Sequence, residues 1–163
     1  MVSVFDVDAS KLIVELAKEL KKDPKIKTPS WISYAKTGAD RERPVDDVEN
    51  FWSIRAASIL RNSYTHGTVG VSRLRTKYGS KKNRGAQPDK FFKTGGKNIR
   101  LILQQLQESG YVKLVKGEGR EITKKGMSLV DKVAAKIAKT EPKAIVKKVE
   151  TPANIEIVKK VEV

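Results

Sequence analysis

Residues 97–126 read KNIRLILQQLQESGYVKLVKGEGREITKKG, and the fold class turns on them. From Lys97 to Ser109 the apolar side chains Ile99, Ile102, Leu103 and Leu106 recur at the spacing of a helix that buries one face. Gly110 suits the left-handed residue that closes such a helix. Tyr111–Val115 and Arg120–Thr123 then alternate as two short strands around a turn containing Gly117 and Gly119, which predicts a β-hairpin. Thr123 is placed to cap a last helix reaching about Lys139, with Met127, Val130, Val133, Ala134 and Ile137 as its buried stripe.

Working upstream, Gly67 and Gly70 break the chain before a short helix at Val71–Tyr78, and YGSKKNRGAQPDKFFKTGGKNIR at 78–100 reads as a long basic loop. Before that, a helix is expected from about Asp47 to Tyr64, with Asp46, Asp47 and Glu49 at the positive end of its dipole. Phe51, Trp52, Ile54, Ala56, Ala57, Ile59 and Leu60 surround nearly its whole axis, the mark of a buried central helix. The first helix spans about Asp8 to Lys22, with Asp8 as cap, Leu12, Ile13, Leu16, Ala17 and Leu20 on one face, and Asp23-Pro24 as its stop. A short helical piece at Ser30–Lys36, capped by Ser30 and anchored by Trp31 and Tyr34, and a loop KTGADRERP lie between. The order helix, turn, helix, two-stranded ribbon, closing helix is the plan of a winged helix. The expected fold is therefore mainly α, a winged-helix-like domain around a central helix with a small β-hairpin wing, over residues 1–139. Residues 140–163 carry IVKKVE twice, at 145–150 and 157–162, and read as a lysine-rich tail or as extended strands that order on docking.

The charge is lopsided. The chain of 163 residues has a formal net charge of +15. Residues 71–100 hold ten cations against the single carboxylate of Asp89, whereas residues 1–70 are nearly balanced. A surface selected for solubility mixes both signs; an unrelieved run of one sign points to a polyanion. There are no cysteines, which excludes disulfides and thiolate chemistry and suits a reducing compartment. No apolar run is long enough to span a membrane and the N-terminus lacks a signal-peptide pattern, so a cytosolic protein is expected.

Catalysis finds little support. His66, the only histidine, sits in a turn and reads as a capping or surface group; the acidic trio is explained by helix capping; and GGK at 95–97 lacks the other elements of a phosphate-binding loop, although Gly95 and Gly96 at a helix start could present N–H groups to one phosphate. We expect no enzyme activity, cofactor, metal or small-molecule substrate. Two nucleic-acid readings stand. As a winged-helix DNA-binding transcription regulator, the chain would read bases with Asn98, Arg100, Gln104, Gln105 and Gln107. The charge peaks before that helix, not on it, which favours an irregular RNA surface bound by shape and phosphate contact. Phe91 and Phe92 would then either stack on bases or pin the loop, and pinning is favoured for at least one.

ENFWSIRAASILRNSY, GTVGVSRLRTKYGSKKNRG, KNIRLILQQLQESGYV and the GREITKKG turn, with TPSWISYAKTG and RERP upstream, resemble the nineteenth small-subunit ribosomal protein family of archaea and eukaryotes over roughly Val4–Lys139. The resemblance implies a structural protein of the small-subunit head, bound to the 3′ major domain of the ribosomal RNA and to neighbouring ribosomal proteins, with a part in subunit maturation. It makes Arg55 and Arg61 of the central helix the prime cations. It carries the basic loop's Arg73, Lys77, Tyr78, Lys81, Lys82 and Arg84, then Lys97 and Arg100 at the start of the next helix, as further RNA contacts; Arg75, Lys90 and Lys93 join them as cations of the same unneutralised stretch. No family role transfers to the duplicated tail, for which an added strand along a neighbouring ribosomal protein is one expectation.

Overall fold

The computed structural model describes residues 2–140; the IVKKVE copies lie outside the described residues. Among the described residues there are five α-helices and two hairpins: α1 (Ala9–Leu20), α2 (Val48–His66), α3 (Val71–Lys77), β1 (Ser80–Arg84), β2 (Gln87–Phe92), α4 (Gly96–Glu108), β3 (Val112–Val115), β4 (Gly119–Ile122) and α5 (Lys124–Thr140). The mainly α, winged-helix-like architecture is present, with β3–β4 as the wing.

Helix α2 is the axis of the domain. Asp47 accepts from the Asn50 backbone N–H (3.2 Å) and amide (2.8 Å), fixing its start. Trp52, Ala56, Ala57, Ile59 and Leu60 are buried, and α1, α4, α5 and β4 all pack on it. Buried Ser53 and Ser63 return their hydroxyls to the carbonyls of Asn50 and Ile59, so neither leaves an orphan polar group. The apolar girdle is not complete: Ile54 is 41% exposed and Phe51 half-buried, because no described element covers that side of α2.

The wing is tied to the body by its edge. Val69 and Arg120 exchange backbone bonds of 2.8 and 2.9 Å. Gly119 sits at φ +127°, and a Cβ there would stand 2.6 Å from the Val69 carbonyl oxygen, so the approach requires glycine. Thr123 caps α5 as expected, its hydroxyl accepting from the Gly126 N–H at 3.2 Å.

Five expectations change. The segment 78–95 is an antiparallel arm, β1–β2, rather than a loop. Asp8 holds the cap position of α1 but makes no side-chain capping bond; a capping box of Ser3 and Asp6 forms one turn earlier. The piece after Pro29 is a single 3-10 turn, Ser30–Ser33, without a Ser30 side-chain cap; Ile32 is its buried anchor, with Trp31 half-buried, while Tyr34 is 73% exposed. Ile54 escapes burial as above. Met127 is exposed, and Gly126 takes the inward place on α5 because the Tyr111 carbonyl and Ile122 crowd it.

Gly126 gives a test of this packing. Alanine in a helix normally gains about 1 kcal/mol over glycine. Here a Cβ would lie 2.5 Å from the Tyr111 oxygen and 2.8 Å from Ile122 Cγ1. Overpacking of that kind costs about 1–3 kcal/mol, so Gly126→Ala should lower the midpoint of chemical denaturation. A raised midpoint would show that the α5 to wing junction is looser than described.

Candidate nucleic-acid interface

The interface is organised around Arg55. Its guanidinium carbon lies 4.2 Å from the centroid of the Tyr78 ring and 5.3 Å from that of Phe51. Tyr78 is held in turn by its hydroxyl, 2.8 Å from Ser58 Oγ. Burial lowers the Arg55 pKa, the Tyr78 phenol opposes that shift, and nearby Arg41 adds to it by repulsion. Guanidinium remains protonated at any ordinary pH, so this is a charge held at a cost. Among the described residues no ion pair joins Arg55 to a carboxylate.

The start of α4 converges on the same place. Arg75 donates from Nε to the Thr94 carbonyl (3.0 Å), and its stem lies against Gly96, where a Cβ would meet Arg75 Cδ at 3.2 Å. Lys97 stands over the Trp31 ring at 4.6 Å. The Gly95 N–H, considered above as a phosphate donor, is committed to the Thr37 carbonyl at 2.7 Å, which leaves Gly95 a structural role. Thr94 also donates to Thr37 through its hydroxyl (2.6 Å), and Ser80 donates to Asp40, so the 37–40 segment braces the root of the arm.

Along the arm, Lys82 pairs directly across from Lys90, Lys81 from Phe91 and Ser80 from Phe92. Like charges opposite one another destabilise a two-stranded ribbon. Strand alternation points Asp89 to the opposite face from Lys90, so the one carboxylate of 71–100 does not relieve the pair. Arg84 donates to Gln87 at the tip, and Arg73, Lys93 and Arg100 are exposed. Phe91 is 46% exposed with its ring edge against Gly79, which makes it a pin at the arm's base. Phe92 is half-buried beside it.

Two predicted cations stand apart from the Arg55 cluster. Six residues at ~100° each carry Arg61 about 120° around α2 from Arg55. Its Nε is enclosed with no acceptor among the described residues. Lys77 turns back to the buried Asn62 side chain and comes within 3.4 Å of His66 Nε2. Arg41, missed from the sequence, belongs to the cluster; its place in RERP was the available signal.

The amides that would read DNA bases are largely occupied. Gln105 accepts from Trp52 Nε1 and donates to the Lys27 carbonyl, both at 2.8 Å; Gln107 accepts from Arg120 Nε at 3.1 Å; and Asn98 is buried. Arg100, Gln104 and Gln107 of that set are exposed, and of these Gln107 is tied to the wing by Arg120. Among the described residues no three acidic or histidine side chains gather as a metal site, and Asp47 serves as the cap of α2.

The family model of ribosomal protein S19e matches residues 3–140, the whole described body. The chain belongs to that family. S19e membership makes it a ribosomal structural protein and not an enzyme. Among its relatives, the small ribosomal subunit protein eS19 of Aeropyrum pernix is 45% identical, covering 87% of this chain and 96% of its own length. The eS19 of Haloarcula marismortui is 40% identical (82% and 90%), and eS19A of Saccharomyces cerevisiae 36% (82% and 93%).

The Tyr78 phenol discriminates between two forces on this S19e surface. Burial pushes its pKa up from 10.0, while the Ser58 hydrogen bond and the Arg55 charge pull it down, and burial prevails. A raised folded-state pKa means that the fold favours the neutral phenol: its contribution is intact below about pH 10 and is lost as pH rises toward the folded value. Alkaline ultraviolet difference titration of the parent against Tyr78→Phe should show the missing tyrosine ionising later than a free one. Ionisation at or below the ordinary value would mean that Arg55 controls the site.

Proposed function

We propose that this chain is a constituent of the small ribosomal subunit that binds ribosomal RNA in the 3′ major domain of the head and supports assembly of that subunit among neighbouring ribosomal proteins. The contact runs from Arg55 and Tyr78 through the start of α4 and out along the β1–β2 arm, with Arg61 as a separate contact on α2. The observation that carries this reading is the arm's register: Lys82 and Lys90 face each other, and the arm's own carboxylate, Asp89, is turned to the other face by strand alternation. Such a ribbon gains from a polyanion what it loses to self-repulsion, while the glycines at its roots, Gly79 and Gly95, are closed against Phe92 and Thr37 and seat it on the body. The relatives named above as small ribosomal subunit proteins support the assignment to that subunit. Residues 1–139 form the RNA-binding body in this reading, and 140–163 an appended segment.

Titrating a folded head-domain RNA fragment at several salt concentrations tests it. The triple variant Lys81→Ala, Lys82→Ala, Arg84→Ala should bind more weakly, and its log K against log salt should flatten by ~0.7–0.9 for each phosphate the arm no longer neutralises. An unchanged slope would remove the arm from the interface.

A further inference from the structure

Where the start of α4 meets α2 there is a crevice of about 10 Å³, lined by Phe51, Arg55, Thr94, Asn98 and Ile99. A space of that size admits one oxygen atom or water and excludes a base or ribose ring. Asn98, the third residue of α4, is 8% exposed, and a helical side chain slants back toward the helix start, here toward the crevice that Asn98 lines. Among the described residues that side chain has no hydrogen-bond partner, an exception for a buried amide that asks for a reason. Its depth keeps Asn98 out of a DNA groove, but not away from an atom that enters the crevice.

We propose that the crevice takes one non-bridging oxygen of an RNA phosphate, with the Asn98 side-chain N–H and the Arg55 guanidinium as its donors. The inference rests on the RNA reading above and names one contact within it. Charge selects an anion. Arg55 brings a cation that no carboxylate pairs, and Thr37 and Gly95, which complete the lining, add no acidic group. Asp40, in the segment that braces this root, turns its carboxylate to Ser80 and Arg41. The cap position of α4 is glycine and makes no side-chain bond, so nothing there offsets the positive end of this 13-residue helix. A neutral oxygen, such as a ribose hydroxyl, would satisfy Asn98 but leave the Arg55 charge uncompensated; a phosphate oxygen serves both, while the rest of the group stays outside.

The test uses the full chain, labelled with nitrogen-15, and the folded head-domain RNA fragment. Saturation with the fragment should move the side-chain NH₂ signal of Asn98. Asn98→Ala should weaken binding about tenfold or more at every salt concentration, the size of one hydrogen bond to a charged group, and should leave the slope of log K against log salt unchanged because a neutral amide releases no counterion. Its denaturation midpoint should be no lower than the parent's, since no protein partner is lost and alanine suits a helix. Asn98→Asp, which sets a carboxylate in the crevice, should bind more weakly still. An unmoved Asn98 signal, equal affinity in Asn98→Ala, or a loss of affinity matched by a lower midpoint would overturn the proposal. So would inorganic phosphate that moves the signal as far as the fragment does, which assigns the crevice to a free anion. Failure of the parent to bind the fragment would bring down the RNA reading and this contact together, whereas a bound fragment with the arm's salt slope as expected and Asn98 silent removes this contact alone.

Discussion

Burying Trp52 obliges its indole N–H to find an acceptor, and the domain is assembled around the answer. Gln105 of α4 supplies the oxygen, and its NH₂ then reaches the Lys27 carbonyl in the segment after α1. One amide thus sets the angular position of α4 against α2 and pins the chain that leaves α1. Leaving that indole unsatisfied would cost about 1–3 kcal/mol, a large part of the margin on which a small domain stands. Trp31 meets Trp52 edge-on at 6.4 Å, so the same ring also orients the platform beneath Lys97.

With the body settled this way, the arm can be poor in structural terms. An isolated two-stranded ribbon is marginal in water, and this one sets lysine against lysine. What holds it is its root: the Thr94 and Gly95 bonds to Thr37, the Ser80 bond to Asp40, and Phe91 over Gly79. The apolar and polar anchoring is concentrated where the arm leaves the domain, and the charge where it extends. Asp40 shows the same division: its buried carboxylate is committed at the root, to Ser80 and, at 3.1 Å, to Arg41.

The helices are legible in the sequence because each buries one face, so the 3.6-residue period is written into Leu12 to Leu20, Ile99 to Leu106 and Val130 to Ile137. The wing is legible because Gly117 and Gly119 punctuate an apolar alternation. The arm is not, since SKKNR and QPDKFF carry no period-two apolar pattern: neither face is buried, and only pairing and root contacts make strands of them. Tyr34 and Ile54 mislead for the opposite reason, being apolar residues on a surface the domain itself does not cover. Among the cations, position along the chain identifies the arm and the α4 start, but does not separate Arg61 from Arg55 or bring Arg41 beside it, because those relations depend on the helix angle and on where a loop returns.

The occupied amides of α4 weigh against a helix that reads DNA bases. A helix that reads the major groove needs several adjacent side chains free to turn outward at once. In α4 two of the three glutamines are committed to holding the body and the wing, and the asparagine is buried. Charge meanwhile is displaced onto an arm inserted between α3 and α4, where a DNA-reading helix-turn-helix has only a short turn. An insertion there lifts the strongest cations away from the face that would enter a groove and spreads them over a separate ribbon. That geometry suits a partner whose phosphates do not follow a regular duplex, with the winged-helix frame serving to hold the ribbon in place.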